Sequence, residues 1–202
     1  MQNYIMINGK RIGLTKEQVE QIAASLGEEP IRLGDVAAGG TALVGSHEMI
    51  VLDHIDGTTL LLRKDSLGAM EFGENNNYNG SYADGVCNEF AEELAEIVDE
   101  SNILLHDVDL TADDGLKDYG VIQRKASLRT AQMQRQYVQI LDEYRLDSWE
   151  WLATAYSTPA HDNDRWVKCV SPSGCVLNNG YSSNGSGVRP FCILKSDIFV
   201  SK

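Results

Sequence analysis

The hydrophobic pattern changes period several times along the chain, and each change predicts an element. Ile5 and Ile7 alternate with polar neighbours, and Asn8-Gly9 turns the chain toward Ile12, which predicts a small hairpin. Thr15-Lys16-Glu17-Gln18 matches a capping box. Val19, Ile22, Ala23 and Leu26 then share one helical face and Gly27 suits the C-terminal cap, so a helix is expected over 15–26. Glu28-Glu29-Pro30 breaks it. A hairpin and one helix are too small to fold alone. Residues 1–30 are therefore expected to be an appendage of a main domain spanning 31–202.

After the flexible Ala37-Ala38-Gly39-Gly40 loop, two apolar runs, Met49–Ile55 and Thr58–Arg63, flank Asp56-Gly57. Asp-Gly between such runs favours a two-residue type I′ turn, whose register sets Leu52 opposite Leu61 and Val51 opposite Leu62. Both faces are apolar, so these strands are expected to be covered on both sides. His54, with no nucleophile or carboxylate pattern beside it, reads as structural. A polar loop, Gly73–Gly80, carries Tyr78 and leads into a helix expected over 82–99. Val86, Phe90, Leu94, Ile97 and Val98 form its stripe, and Glu89, Glu92, Glu93, Glu96, Asp99 and Glu100 an acidic outer face with no nearby Lys. A second helix is expected over 130–145, capped by Thr130, with Met133, Tyr137, Ile140, Leu141 and Tyr144 facing inward.

The last third anchors the rest. Trp149, Trp151 and Leu152 read as core residues, since burying each is worth roughly 1.5–3 kcal/mol or more. His161-Asp162-Asn163-Asp164 and the run Asn178–Gly187 lack apolar groups and read as polar loops. Between them Trp166–Val170 and Cys175–Leu177 are expected to pair across Ser171–Gly174, and Val188, Phe191, Ile193 and Leu194 to form the closing strand. The expected class is α+β. Loops rich in Asn, Ser, Tyr and Gly on an apolar scaffold resemble binding surfaces. The candidate ligand-binding residues are therefore Tyr78, Tyr156, His161, Asp162, Asn163, Asp164, Trp166, Asn178, Tyr181 and Asn184; plain surface loops are the alternative.

Composition narrows the partners. The chain has 202 residues, 43% hydrophobic and 23% charged, which excludes disorder of the whole and admits one large domain or two small ones. Thirty acidic residues against 17 basic give a formal net charge of −13, a surface that repels nucleic acid and anionic membrane. It suits a basic partner, a cation or mimicry of a polyanion. No apolar run approaches the roughly 20 residues of a membrane span, and the N-terminus lacks a signal-peptide pattern, so synthesis in the cytoplasm without membrane insertion is expected. The four cysteines, Cys87, Cys169, Cys175 and Cys192, form no C-x-x-C pair; reduced thiols are the default, with a Cys169–Cys175 disulfide as the alternative. Asp107, Asp109, Asp113, Asp114 and Asp118 fail the calcium-loop pattern, because Asp114 stands where its glycine belongs and Gly120 where its glutamate belongs. No nucleophile triad, metal-ligand set or paired-carboxylate motif emerges, so neither catalytic residues, metal nor cofactor is expected.

Tryptophan-leucine at Trp151-Leu152, a variable Asn/Ser/Gly segment and a closing Gly187-Val188-Arg189-Pro190 resemble a family of Firmicutes and phage proteins. Its members commonly read W-W-L-R-S-P early and G-V-R-P-A near the end. The ending is also similar to the close of C-type-lectin-fold proteins, among them the variable proteins of diversity-generating retroelements and the formylglycine-generating enzymes. The resemblance covers roughly residues 100–195, including Val108-Asp109-Leu110-Thr111 and Ser127-Leu128-Arg129-Thr130. The chain departs from it at Ala153, where arginine is usual, and at Ala155, where proline is common. The resemblance implies a C-type-lectin-like mixed, largely antiparallel sheet with two main helices. It implies a non-enzymatic display protein of phage or phage-like origin, virion-associated, that binds a protein or cell-surface ligand through its C-terminal loops; a homo-oligomer is left open. Two alternatives stand beside it: an acidic inhibitor that mimics DNA against a basic host protein, and a formylglycine-generating-like oxidase using Cys192.

Overall fold

The strand Pro190–Lys195, near the end of the chain, has partners along both edges, and the larger sheet is built around it. The computed structural model describes residues 3–7, 10–19 and 30–201, and all but the side chains of 3–7, 10–12, 178 and 179 within them. In chain order the strands are β1 (Asn3–Ile7), β2 (Lys10–Leu14), β3 (Ile31–Arg32), β4 (Thr41–Val44), β5 (His47–Ile55), β6 (Thr58–Arg63), β7 (Ala69–Glu71), β8 (Ile103–Leu104) and β9 (His106–Asp109). There follow β10 (Val121–Arg124), β11 (Ala126–Leu128), β12 (Glu150–Ala155), β13 (Trp166–Val170), β14 (Val176–Tyr181), β15 (Gly185–Gly187), β16 (Pro190–Lys195) and β17 (Phe199–Val200). The α-helices are α1 (Tyr82–Val98), α2 (Ala131–Gln136) and α3 (Val138–Leu141). The class is α+β, mostly antiparallel, with few helices.

The first sheet runs β11-β16-β6-β5-β4, with β8 beside β11 on the same edge of β16. It is covered on both faces, as its two-sided apolar pattern predicts. Met49, Val51, Leu61, Cys192 and Leu194 meet Phe90 and Leu94 of α1 on one side. Ile50, Leu52, Leu62 and Phe191 meet Tyr137 and Leu141 on the other. Asp56 (φ 48°) and Gly57 (φ 77°) make the expected I′ turn, and the predicted register holds from Ile55↔Thr58 to Asp53↔Leu60. It then slips by one. Leu52 has no partner, and Val51 pairs with Leu61 and Ile50 with Leu62. This β-bulge adds a residue that turn chemistry cannot foresee, and Leu52 still reaches the Tyr137–Leu141 cluster. His54 is structural, its ring bonded to Thr59 Oγ1 at 2.9 Å and the Val36 carbonyl at 2.8 Å.

The second sheet runs β14-β13-β12-β15-β7, with only β12 and β15 parallel. Trp151 and Leu152 are fully buried, as expected. Trp149 is not: it is 37% exposed. It lies just before the strand, and the buried place beside it goes to Glu150, the counter-ion of two buried arginines. The run 178–187, expected as loop, is mostly strand. Asn178–Tyr181 complete β14, 185–187 form β15, and the turn between closes with the Asn184 N–H donating to the Tyr181 carbonyl at 2.8 Å. Ladder bonds need no apolar side chains, so composition misread this segment.

Ser81 caps α1 by accepting from the Asp84 N–H at 3.1 Å. The expected stripe packs inward, Phe90 and Leu94 buried and Val86, Ile97 and Val98 half-buried, and it is widened by buried Ala83, Cys87 and Ala91, because the first half of the helix covers the second sheet and the second half the first. Its acidic face does have basic neighbours: Lys125 pairs with Glu100, and His47 lies 3.2 Å from Glu93. The helix expected over 130–145 starts at its Thr130 cap but breaks at Tyr137 into α2, α3 and a 3-10 turn over 142–144. At the N-terminus, β1 and β2 pair with Ile5 opposite Ile12, and among the described residues they join only each other in strand pairing. Thr15 and Gln18 make the reciprocal capping bonds at 2.9 and 3.2 Å, and 16–19 are helical. The Asn8-Gly9 turn and residues 20–26 of that helix lie outside the described residues. Among the described residues no helix is long and apolar enough to cross a membrane.

Candidate functional site

At one end of the second sheet β13, β14 and the residue just past the end of β12 carry aromatics at the same level. The register Ala155↔Val167 continues one step, setting Tyr156 opposite Trp166, and the Tyr156 N–H donates to the Trp166 carbonyl at 2.9 Å. Trp166 in turn pairs with Tyr181, and their rings meet edge to face, 5.5 Å between centroids. Directly opposite residues project from the same face of a sheet. With strands about 4.8 Å apart, Tyr156, Trp166 and Tyr181 make a row about 10 Å long. Each keeps 37–39% of its surface exposed.

The loop 157–165 joins Tyr156 to Trp166 and rims this row. Thr158 caps a 3-10 turn over Pro159–His161, which ends at Asp162 in a left-handed conformation (φ 53°). Asn163, half-buried, shapes the loop: its Oδ1 accepts from the N–H groups of Arg165 at 3.3 Å and Trp166 at 3.2 Å. His161, Asp162 and Asp164 are exposed, and Asp164 pairs with Arg165 at 3.3 Å.

The loop is held from inside by Asn76, which is fully buried. Its amide donates to the carbonyls of Ser157 (3.0 Å), Trp166 (3.1 Å) and Asn163 (3.4 Å). Its N–H donates to the Asp164 carbonyl at 2.7 Å, and its Oδ1 accepts from the Tyr119 hydroxyl at 2.6 Å. The turn 113–118 supports the loop from below. Asp114 accepts from the Ser157 hydroxyl at 2.5 Å and meets His161 Nδ1 at 3.0 Å, and Asp118 accepts from the Thr158 hydroxyl at 2.7 Å. The Ser157 hydrogen bond is the chief reason that the Asp114 carboxyl sits below the usual range. Burial pushes the Tyr119 hydroxyl up to about 12, with the charges of Asp164 and Asp118 adding to it.

The structure thus gathers Tyr156, His161, Asp162, Asn163, Asp164, Trp166 and Tyr181 at one end of the sheet, with Asn184 in the turn after Tyr181. Tyr78 does not belong there. It is 1% exposed, packs against Phe72, and accepts from the Leu128 N–H at 2.9 Å. A lone aromatic in a polar run reads as a contact residue, yet this one fastens its loop to the core. Asn178 stands on β14, its side chain outside the described residues. Asn76 and Tyr119 went unseen, since a run of asparagines carries no period. The one available signal was the aspartate cluster, whose Asp114 and Asp118 serve as loop supports.

The other aspartates of that cluster are occupied as well. Asp113 binds Lys168 and Arg135, each at 2.8 Å, Asp109 closes on Thr111, and Asp107 accepts from Gln123. Among the described residues no group of three or more His, Cys, Asp or Glu could hold a metal ion. Cys175 is an exposed thiol, while Cys169 faces the core and donates to the Leu177 carbonyl at 3.7 Å. Cys87 and Cys192 are fully buried, and burial pushes both thiols to about 12. The chain matches no protein-family model, no curated protein and no solved structure.

Proposed function

We propose that the protein is a ligand-binding display module of C-type-lectin-like fold, related to the Firmicutes and phage family and virion-associated, which captures a protein or cell-surface ligand. The observation that carries this reading is the Tyr156–Trp166–Tyr181 row. Three large aromatics stay half in water at one level of one sheet, beside a polar loop held by buried bonds. Rigid aromatics supply contact area at low entropic cost, and a braced loop is pre-organised. The motif residues also support the family reading. Arg129, of Ser127-Leu128-Arg129-Thr130, and Arg189, of Gly187-Val188-Arg189-Pro190, converge on Glu150 at 2.9 and 3.4 Å in the core, so the two motifs join one scaffold. This chain has Ala153 where the family usually has arginine, and its loop is braced by Asn76.

The two alternatives have less support. A DNA mimic needs carboxylates in a phosphate-like stripe, and Glu93 on α1 and Glu100 just after it are engaged by His47 and Lys125. An oxidase needs a reactive thiolate, and Cys192 is a fully buried thiol on the central strand. The test is capture from host-cell envelope fractions by wild type and by a Tyr156→Ala/Trp166→Ala/Tyr181→Ala variant. The variant is expected to fold normally and to lose the captured partner. If it keeps every partner, and charge reversal at Glu89, Glu93 and Glu96 removes them, the inhibitor reading replaces this one.

A further inference from the structure

We infer that the Tyr156–Trp166–Tyr181 row docks an extended, basic protein segment, with arginine or lysine side chains at alternate positions lying over the rings and reaching the loop carboxylates. The inference rests on the binding-face reading above and names the chemistry of its partner. Aromatic faces carry negative potential and attract cations, tryptophan most strongly. Here the rings are exposed along a row of about 10 Å, and residues two apart in an extended strand are about 7 Å apart, so the row takes two such side chains.

The charge around the row selects the sign of the partner. Asp162 and Asp164 are exposed on the rimming loop, and Asp114 and Asp118 lie directly beneath it. Arg165 offsets Asp164 by pairing with it and also reaches the Glu74 carbonyl, and His161 meets Asp114, so Asp162 and Asp118 carry the negative excess beside the row. With a formal net charge of −13 the whole surface steers cations inward and repels anions. A neutral apolar partner would have to strip water from Asp162 and Asp164 without replacing it. A guanidinium stacks on a ring and presents a planar fork to a carboxylate, so arginine is favoured over lysine.

The probes are fluorescein-labelled peptides of sequence R-S-R-S-R, K-S-K-S-K, Q-S-Q-S-Q and E-S-E-S-E, titrated with the full chain and read by fluorescence anisotropy. The arginine peptide is expected to bind tightest, the lysine peptide next, and the other two at least tenfold more weakly. Trp166→Ala and Tyr181→Ala, which leave the net charge unchanged, are each expected to weaken the arginine peptide at least fivefold. Trp166→Phe restores most of the binding. Asp162→Asn with Asp164→Asn weakens it at least tenfold, whereas Glu89→Gln with Glu92→Gln on the outer face of α1 leaves it within twofold. Equal weakening by the α1 pair, or aromatic variants that bind like wild type, would show diffuse attraction and overturn the inference. If the glutamine peptide binds as well as the arginine peptide and both need Trp166, the cationic class falls and the binding face stands. If no peptide and no envelope partner depends on the aromatic row, both fall.

Discussion

Gly180 stands where any side chain would strike the indole of Trp151: a Cβ built on it would lie 2.2 Å from the ring carbon Cζ3. Trp151 is fully buried, and its Nε1–H donates to the Met70 carbonyl at 2.8 Å. The strand passes over the ring because residue 180 has no side chain. Gly180→Ala is expected to destabilise the fold by about 1–3 kcal/mol, as overpacking does. Trp151→Ala should cost about 3–5 kcal/mol. Urea unfolding of both variants and their combination checks the coupling. With the indole gone, the alanine at 180 should cost much less, leaving only the close approach to the Val167 carbonyl at 3.1 Å, and fully additive losses would mean that the indole does not set the cost.

Asn76→Ala leaves the carbonyls of Ser157, Asn163 and Trp166 without their shared donor. The Trp166 carbonyl keeps the Tyr156 N–H, while those of Ser157 and Asn163 lose their donor; each unsatisfied buried group costs about 1–3 kcal/mol, less where it reaches water as the loop loosens. The expected loss is about 2–4 kcal/mol, with faster amide exchange confined to residues 157–166 and the Asn76 loop. Hydrogen exchange read by mass spectrometry decides it. Uniform change across the molecule would show that Asn76 supports the whole fold and not the loop in particular.

Glu150 stands between Arg129 and Arg189, all three almost completely buried. Glu150→Gln removes the carboxylate that both arginines meet and leaves two buried cations together. Breaking such an arrangement costs about 3–5 kcal/mol. Replacing all three residues by apolar ones of similar volume should cost much less than the single change. Thermal unfolding of the single and triple variants is the comparison, and a triple variant as unstable as the single one would show that the ionic trio is needed for the fold itself.

His106 links stability to pH. Burial lowers its pKa from 6.5 to about 4, outweighing the Leu104 backbone hydrogen bond and Asp107. Between those values the unfolded chain takes up a proton that the folded chain refuses, so stability falls as pH drops from about 6.5 to about 4. The full effect is on the order of 3 kcal/mol. His106→Gln should flatten that part of the curve in urea unfolding at pH 4.5, 5.5 and 7. Asp109, held low by Thr111, and Asp114, held low by Ser157, act in a separate window, since stability from a depressed carboxyl is lost only as pH falls through its folded pKa, below about 4. A slope between pH 4.5 and 6.5 that survives the substitution would assign it to other groups.

Short-range chemistry alone determined much of this protein. The Asp56-Gly57 turn, the Thr15–Gln18 capping box, the Thr130 cap, α1 and the burial of Trp151 and Leu152 each depend on residues within a few positions of one another, or on one side chain's aversion to water. Tertiary structure decided the rest, because the deciding partner lay far along the chain. Tyr78 is a core residue because Leu128, fifty positions on, offers it an N–H. The polar run after Asn178 is strand because β13, β12 and β7 satisfy its backbone, and Gly180 fits it over Trp151. The aromatic row exists only where β12, β13 and β14 bring Tyr156, Trp166 and Tyr181 to one level. Composition could nominate these residues, but the strand register alone sets Tyr156, Trp166 and Tyr181 on one face and leaves Tyr78 inside.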